Sequence, residues 1–110
     1  MNNEHLQRQV SSLWGTAQQQ GWTRRCRFQV GWHVQDEARR SSLAKRVLSV
    51  QGWYASPAED YESEDDPAEF IAHVIVESPS RALIEEQIRW ASRLAEEFGA
   101  TLPRVGLGAA

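Results

Sequence analysis

Three groups of side chains in this sequence are of types that do chemistry. The first is a pair of imidazoles, His33 and His73, each inside an alternating apolar run. Facing the same way on neighbouring strands, two imidazoles could hold a metal ion or pass a proton. Neither role is complete. No third ligand stands at a metal-site spacing, Cys26 falls on the opposite face of its strand, and no nucleophile or oxyanion site accompanies the couple. The second group is anionic: Glu59, Asp60, Glu62, Glu64, Asp65, Asp66 and Glu69. These lack the register and distal glutamate of a calcium loop, so they read as carboxylates that repel one another. The third group is cationic, Arg24, Arg25, Arg27, Arg39, Arg40, Lys45 and Arg46, and all of it precedes the acids. A surface divided in this way can steer an oppositely patterned protein partner.

Composition narrows the classes further. A net charge of −3 weighs against nucleic acid, whose affinity depends on clustered cations. So does the alternation that sends Phe28 and Trp32 inward while the arginines between them face out, because base stacking needs exposed rings. Nucleotide-binding and hydrolase motifs are missing, and the G-L-G of residues 106–108 lacks a strand–turn–helix context, so it reads as a flexible end. The lone Cys26 excludes an internal disulfide. Residues 1–9 are polar, without the apolar run of a secretory signal, and no stretch approaches a membrane span; a cytoplasmic protein is expected. Most of the five tryptophans are expected in the core.

The elements that must position these groups follow from periodicity. Cys26, Phe28, Val30, Trp32 and Val34 alternate, which predicts a strand over 24–34 with Arg25, Arg27, Gln29, Gly31 and His33 on its other face. Asp36 caps a helix whose stripe is Leu43, Ala44, Val47, Leu48 and Val50, closed by Gly52. Residues 53–56 form a short strand ended by Pro57, and 57–67 an exposed acidic loop. Residues 70–77 form a third strand, and Ile71, His73 and Ile75 make its second face apolar as well, as in a central strand. Ser78 and Pro79 open a second helix with Ile84, Ile88, Ala91, Ala95 and Phe98 inward, surface pairs Glu85–Arg89 and Arg93–Glu97, and a stop at Gly99. Residues 101–107 make a last strand that Pro103 restricts to an edge. Ahead of these, Leu6, Val10, Leu13, Trp14 and Ala17 predict an amphipathic helix over 3–20, ended near Gly21.

The expected fold is α+β: a ferredoxin-like split β-α-β sandwich, with a four-stranded antiparallel sheet and two helices on one face. Residues 1–22 add an N-terminal amphipathic helix to the α+β domain of 23–110, in a single globular unit. Strands one and three lie side by side in the centre. The opposite sheet face then carries Gln29, His33, Ile71, His73 and Ile75, a mixed surface suited to a partner.

The run from Phe28 to Gly106 also resembles the regulator of ribonuclease E activity B (RraB) family. The resemblance rests on the strand running into His33 and a D-E helix start, the pair Gly52–Trp53, the acidic loop, the apolar strand from Phe70 to Val76, and I-E-E-Q-I…L-A-E-E-F between Ile84 and Phe98. Leu107 stands near the position of a family tryptophan. The resemblance implies the same split β-α-β fold and a non-catalytic, cofactor-free protein that binds an RNA-degrading endonuclease. The surfaces expected to carry binding are the helix face with Arg39, Arg40 and Lys45, the acidic loop with Asp60, Glu62, Glu64, Asp65 and Asp66, and the open sheet face with His33, His73, Ile71 and Ile75. The alternative expectation is a homodimeric ferredoxin-like module enclosing a small ligand between two sheets.

Overall fold

Every second residue of the first strand is buried, and that alternation organises the molecule. In the computed structural model, which describes residues 2–55 and 68–110, β1 spans Arg25–His33, with Cys26, Phe28, Val30 and Trp32 all essentially inaccessible. Next to it lies β3 (Glu69–Glu77), antiparallel, in a register that sets Phe28 opposite Val74, Val30 opposite Ala72 and Trp32 opposite Phe70. On the other side of β1 runs β4 (Arg104–Gly108), with Val30 opposite Val105 and Phe28 opposite Leu107. The two-residue β2 (Tyr54–Ala55) pairs with β3, giving the order β2-β3-β1-β4, all neighbours antiparallel. This is the ferredoxin-like arrangement, with β1 and β3 central as their patterns required.

Among the described residues, three helices cover one face. They are α1 (Asn3–Gln20), α2 (Glu37–Leu48) and α3 (Arg81–Phe98). Leu6 and Val10 of α1, Leu43 and Val47 of α2, and Ile84, Ile88, Ala91, Leu94 and Ala95 of α3 join the inward side chains of β1 and β3 in a single apolar cluster. The N-terminal helix packs against α3 and β4. It extends the helical layer over the edge strand, where Leu13, Trp14, Val105 and Leu107 lie half-buried against the core. Polar contacts fix the seam: Arg81 donates to Gln7 Oε1 at 3.2 Å and to Ser11 Oγ at 2.8 Å, and the Gln7 amide donates to Glu85. Two of the tryptophans, Trp32 and Trp53, are buried, and Trp14, Trp22 and Trp90 are half-buried.

Several local expectations give way to better chemistry. Helix α2 stops at Leu48 rather than Gly52: Ser49 caps it, and Gly52, at φ 91°, turns the chain three residues later. Leu48 and Val50 are thereby exposed instead of joining the buried stripe. Helix α3 is capped by Ser80, not Ser78. The chain leaves β3 through Ser78 at φ 50°, and Ser80, in extended conformation, accepts from the Leu83 amide at 3.1 Å. Glu85 and Arg89 pair at 3.6 Å as expected, but Glu97 meets Arg46 of α2 at 3.1 Å instead of Arg93. Both ends of that inter-helix pair are about half exposed, and Glu97→Gln is expected to change stability by under about 0.5 kcal/mol in urea titration. The G-L-G segment is not a flexible end, because Gly106, Leu107 and Gly108 form rungs of β4 against β1. The 57–67 loop lies outside the described residues.

Cys26 is fully buried, and removal from water pushes its thiol above the ordinary value. The native chain should therefore resist a thiol-directed reagent at neutral pH and label at the rate of its unfolding. The raised value also sets a sign. Above the unfolded-state range near pH 9 the unfolded chain loses its proton first, so stability falls as pH rises further.

Candidate interaction face

The sheet face opposite the helices is built by strand parity. Outward positions of β1 are Arg25, Arg27, Gln29, Gly31 and His33, and the register brings to them Glu77, Ile75, His73, Ile71 and Glu69 of β3. From β4 come Arg104 opposite Gly31, Gly106 opposite Gln29 and Gly108 opposite Arg27. Tyr54 of β2 stacks on the His73 ring, centroids 5.3 Å apart. No described helix lies over this surface, since all three supply their buried side chains to the other side.

Its most organised feature is a clip across the central strand. Glu69 extends from β3 over Gly31, where a Cβ would stand only 3.2 Å from its carboxyl carbon, and reaches Arg104 on β4. Arg104 grips it with both ends of the guanidinium: Nε donates to Oε2 at 3.0 Å, and Nη2 bonds Oε1. The carboxylate side chain is 3% exposed, whereas that of Arg104 is 75% exposed. A buried anion thus meets a cation reaching in from solvent, in the bidentate geometry that guanidinium and carboxylate share. Beside the clip is a shallow hollow of roughly 200 Å³ lined by Gln29, Gly31, Glu69, Ile71, Arg104 and Gly106.

The two histidines share this face but do not meet. His33 stands opposite Glu69 and His73 opposite Gln29, four residues further along β3, or about 13 Å at the rise of a strand. One metal ion cannot bridge that gap, nor can a proton pass directly. His73 is buried, and Ile71 and Ile75 flank it half-buried. His33 contacts Gln35 at 3.0 Å.

The three cations expected on α2 do not act together. Arg40 turns back to donate to the Val34 carbonyl at 2.9 Å, joining the start of α2 to the end of β1. Arg39 lies beside Gly99 at the carboxyl end of α3, a favourable place for a cation. Lys45 is exposed. Asp60, Glu62, Glu64, Asp65 and Asp66 lie outside the described residues. Sequence reasoning missed the roles of Glu69, counted there with the acidic loop, and of Arg104, in a strand recognised only by weak signals. Parity along β3 from His73 and Ile71 would have found Glu69; nothing in the local sequence announces its partner.

No family profile, curated protein or solved structure matches the chain. Among the described residues, no helix is long and apolar enough to cross a membrane.

Proposed function

We propose that the chain is a non-catalytic regulator that works by binding another protein through the open face of its sheet. The observation that supports this reading is that the three described helices all pack on one side, with a mixed apolar and charged set of side chains on the other. Half-buried Ile71 and Ile75 supply contact area, and Arg27, Gln29 and Arg104 supply directional bonding. The resemblance in residue pattern suggests an RNA-degrading endonuclease of the ribonuclease E type as partner. Binding would cover a surface which that enzyme needs.

Titrating the purified chain into an RNA-cleavage assay with such an endonuclease tests this. Inhibition that saturates at a fixed stoichiometry, weakened by Ile71→Lys, is the expected result. Unchanged cleavage and no complex by sedimentation would sink the nuclease reading. The competing reading, a dimer enclosing a small ligand, draws on the hollow beside Glu69. It requires a sedimenting mass twice that of the chain, lost in Ile75→Lys.

A further inference from the structure

The edge strand β4 combines three features that its neighbours do not share. Among the described residues it has a single strand partner, so one row of its backbone donors and acceptors has no ladder there to join. Its open-face positions after Arg104 are Gly106 and Gly108, and nothing within 4 Å occupies the space where a Cβ on Gly106 would stand. The third feature is Arg27. Its side chain crosses from β1 onto β4, with Nη2 3.0 Å from the place of a Gly108 Cβ. Among the described residues the buried Arg27 Nε has no hydrogen-bond partner and its guanidinium forms no ion pair. The other cations of this face are matched: Arg25 pairs with Glu77 at 2.8 Å and Arg104 with Glu69. A guanidinium held half-buried without an anion is a donor set awaiting an acceptor.

We infer that β4 accepts an extended, acidic segment of a partner protein as a fifth strand, with a carboxylate of that segment bonding Arg27 above Gly108. The inference rests on the protein-binding reading above and specifies its chemistry. Backbone bonds to the free edge supply affinity, and side chains alternating between the two faces supply specificity. On the open face the added strand places every second side chain beside Arg104, Gly106 and Gly108. The glycines leave room there, and the unmatched charge of Arg27 selects an acid. On the helical face the intervening side chains continue the layer of Val105 and Leu107, so apolar residues fit. The matching sequence alternates acidic with β-branched residues. Edge strands usually carry prolines or charges that discourage such pairing; here Pro103 and Arg104 stand at one end only, and Val105–Gly108 carries neither.

The probe is a fluorescent decapeptide of alternating Glu and Val, compared with its Gln–Val counterpart and with a single-stranded oligonucleotide, by anisotropy and amide hydrogen exchange. The Glu–Val peptide should bind and slow exchange at residues 104–108. Arg27→Gln should weaken it about tenfold without affecting the Gln–Val peptide, and Arg24→Gln, an exposed cation off the strand, should leave it unchanged. Circular dichroism confirms that each variant is folded. Equal binding of the two peptides, an equal loss in Arg24→Gln, tighter binding of the oligonucleotide, or protection confined to other segments would each overturn the inference. So would dimerisation of the chain alone through β4. An endonuclease complex that forms normally with Arg27→Gln removes the edge proposal and leaves the binding reading standing; absence of any endonuclease complex sinks the nuclease reading alone, and the peptide assay then decides the edge proposal.

Discussion

Trp32→Ala is expected to lower unfolding stability by about 3–5 kcal/mol, a large share of the ~5–15 kcal/mol that holds a typical domain. Trp32 is inaccessible, and its ring is the hub of the aromatic core: Phe70 stacks at 6.0 Å between centroids, Trp90 meets it edge-on at 6.1 Å and Trp53 lies at 6.5 Å. Its indole N–H donates to the Ala91 carbonyl at 3.0 Å, linking β1 to the middle of α3. Alanine at this position leaves a cavity the width of an indole and severs that link. Trp32→Phe separates the two effects. It keeps most of the volume and loses the bond, and should cost about 1–3 kcal/mol. Urea denaturation followed by circular dichroism measures both. If Trp32→Ala matched Trp32→Phe, the ring would not be the hub described.

The second large effect belongs to the clip over Gly31. Arg104→Ala strands the Glu69 carboxylate with 3% of its side chain exposed and no cation. Removing one partner of a fully buried pair costs about 3–5 kcal/mol. Arg104 reaches solvent, so water can partly replace it, and about 2 kcal/mol is the expected loss. Glu69→Gln removes the stranded charge and should recover part of that loss in the Arg104→Ala background, giving a double-mutant coupling above about 1 kcal/mol. A coupling near zero would reduce the clip to an ordinary surface pair. Gly31→Leu should act in the same direction from below, because any side chain there displaces the carboxylate.

Much of this fold was legible because its two central strands carry clean alternation. The inward residues Cys26, Phe28, Val30 and Trp32 and the stripe from Ile84 to Ala95 name their own partners through burial. The helix ends were harder to read. Ser49 and Ser80 win their capping positions through the path the chain takes between elements, and a left-handed Ser78 is not signalled by residue type. The last strand was misread in part. Gly106 and Gly108 have low strand preference, and pairing with β1 supplies the stabilisation that propensity does not. The candidate face was legible as a parity argument, which placed His33, Ile71, His73 and Ile75 together. The clip and the position of Arg27 were not, because both depend on register between residues far apart in the chain, Glu69 with Arg104 and Arg27 with Gly108.

The glycines of the open face have a consequence for how the surface can be used. Between Glu69, which lies over Gly31, and Arg27, which lies over Gly108, Gly106 offers only main chain, and main chain already fixed by the ladder has no rotamers left to lose. A visitor settling there freezes its own side chains and little of the host's. Association at such a floor should therefore show an unusually small entropic penalty for its area, which calorimetry over a range of temperatures would expose.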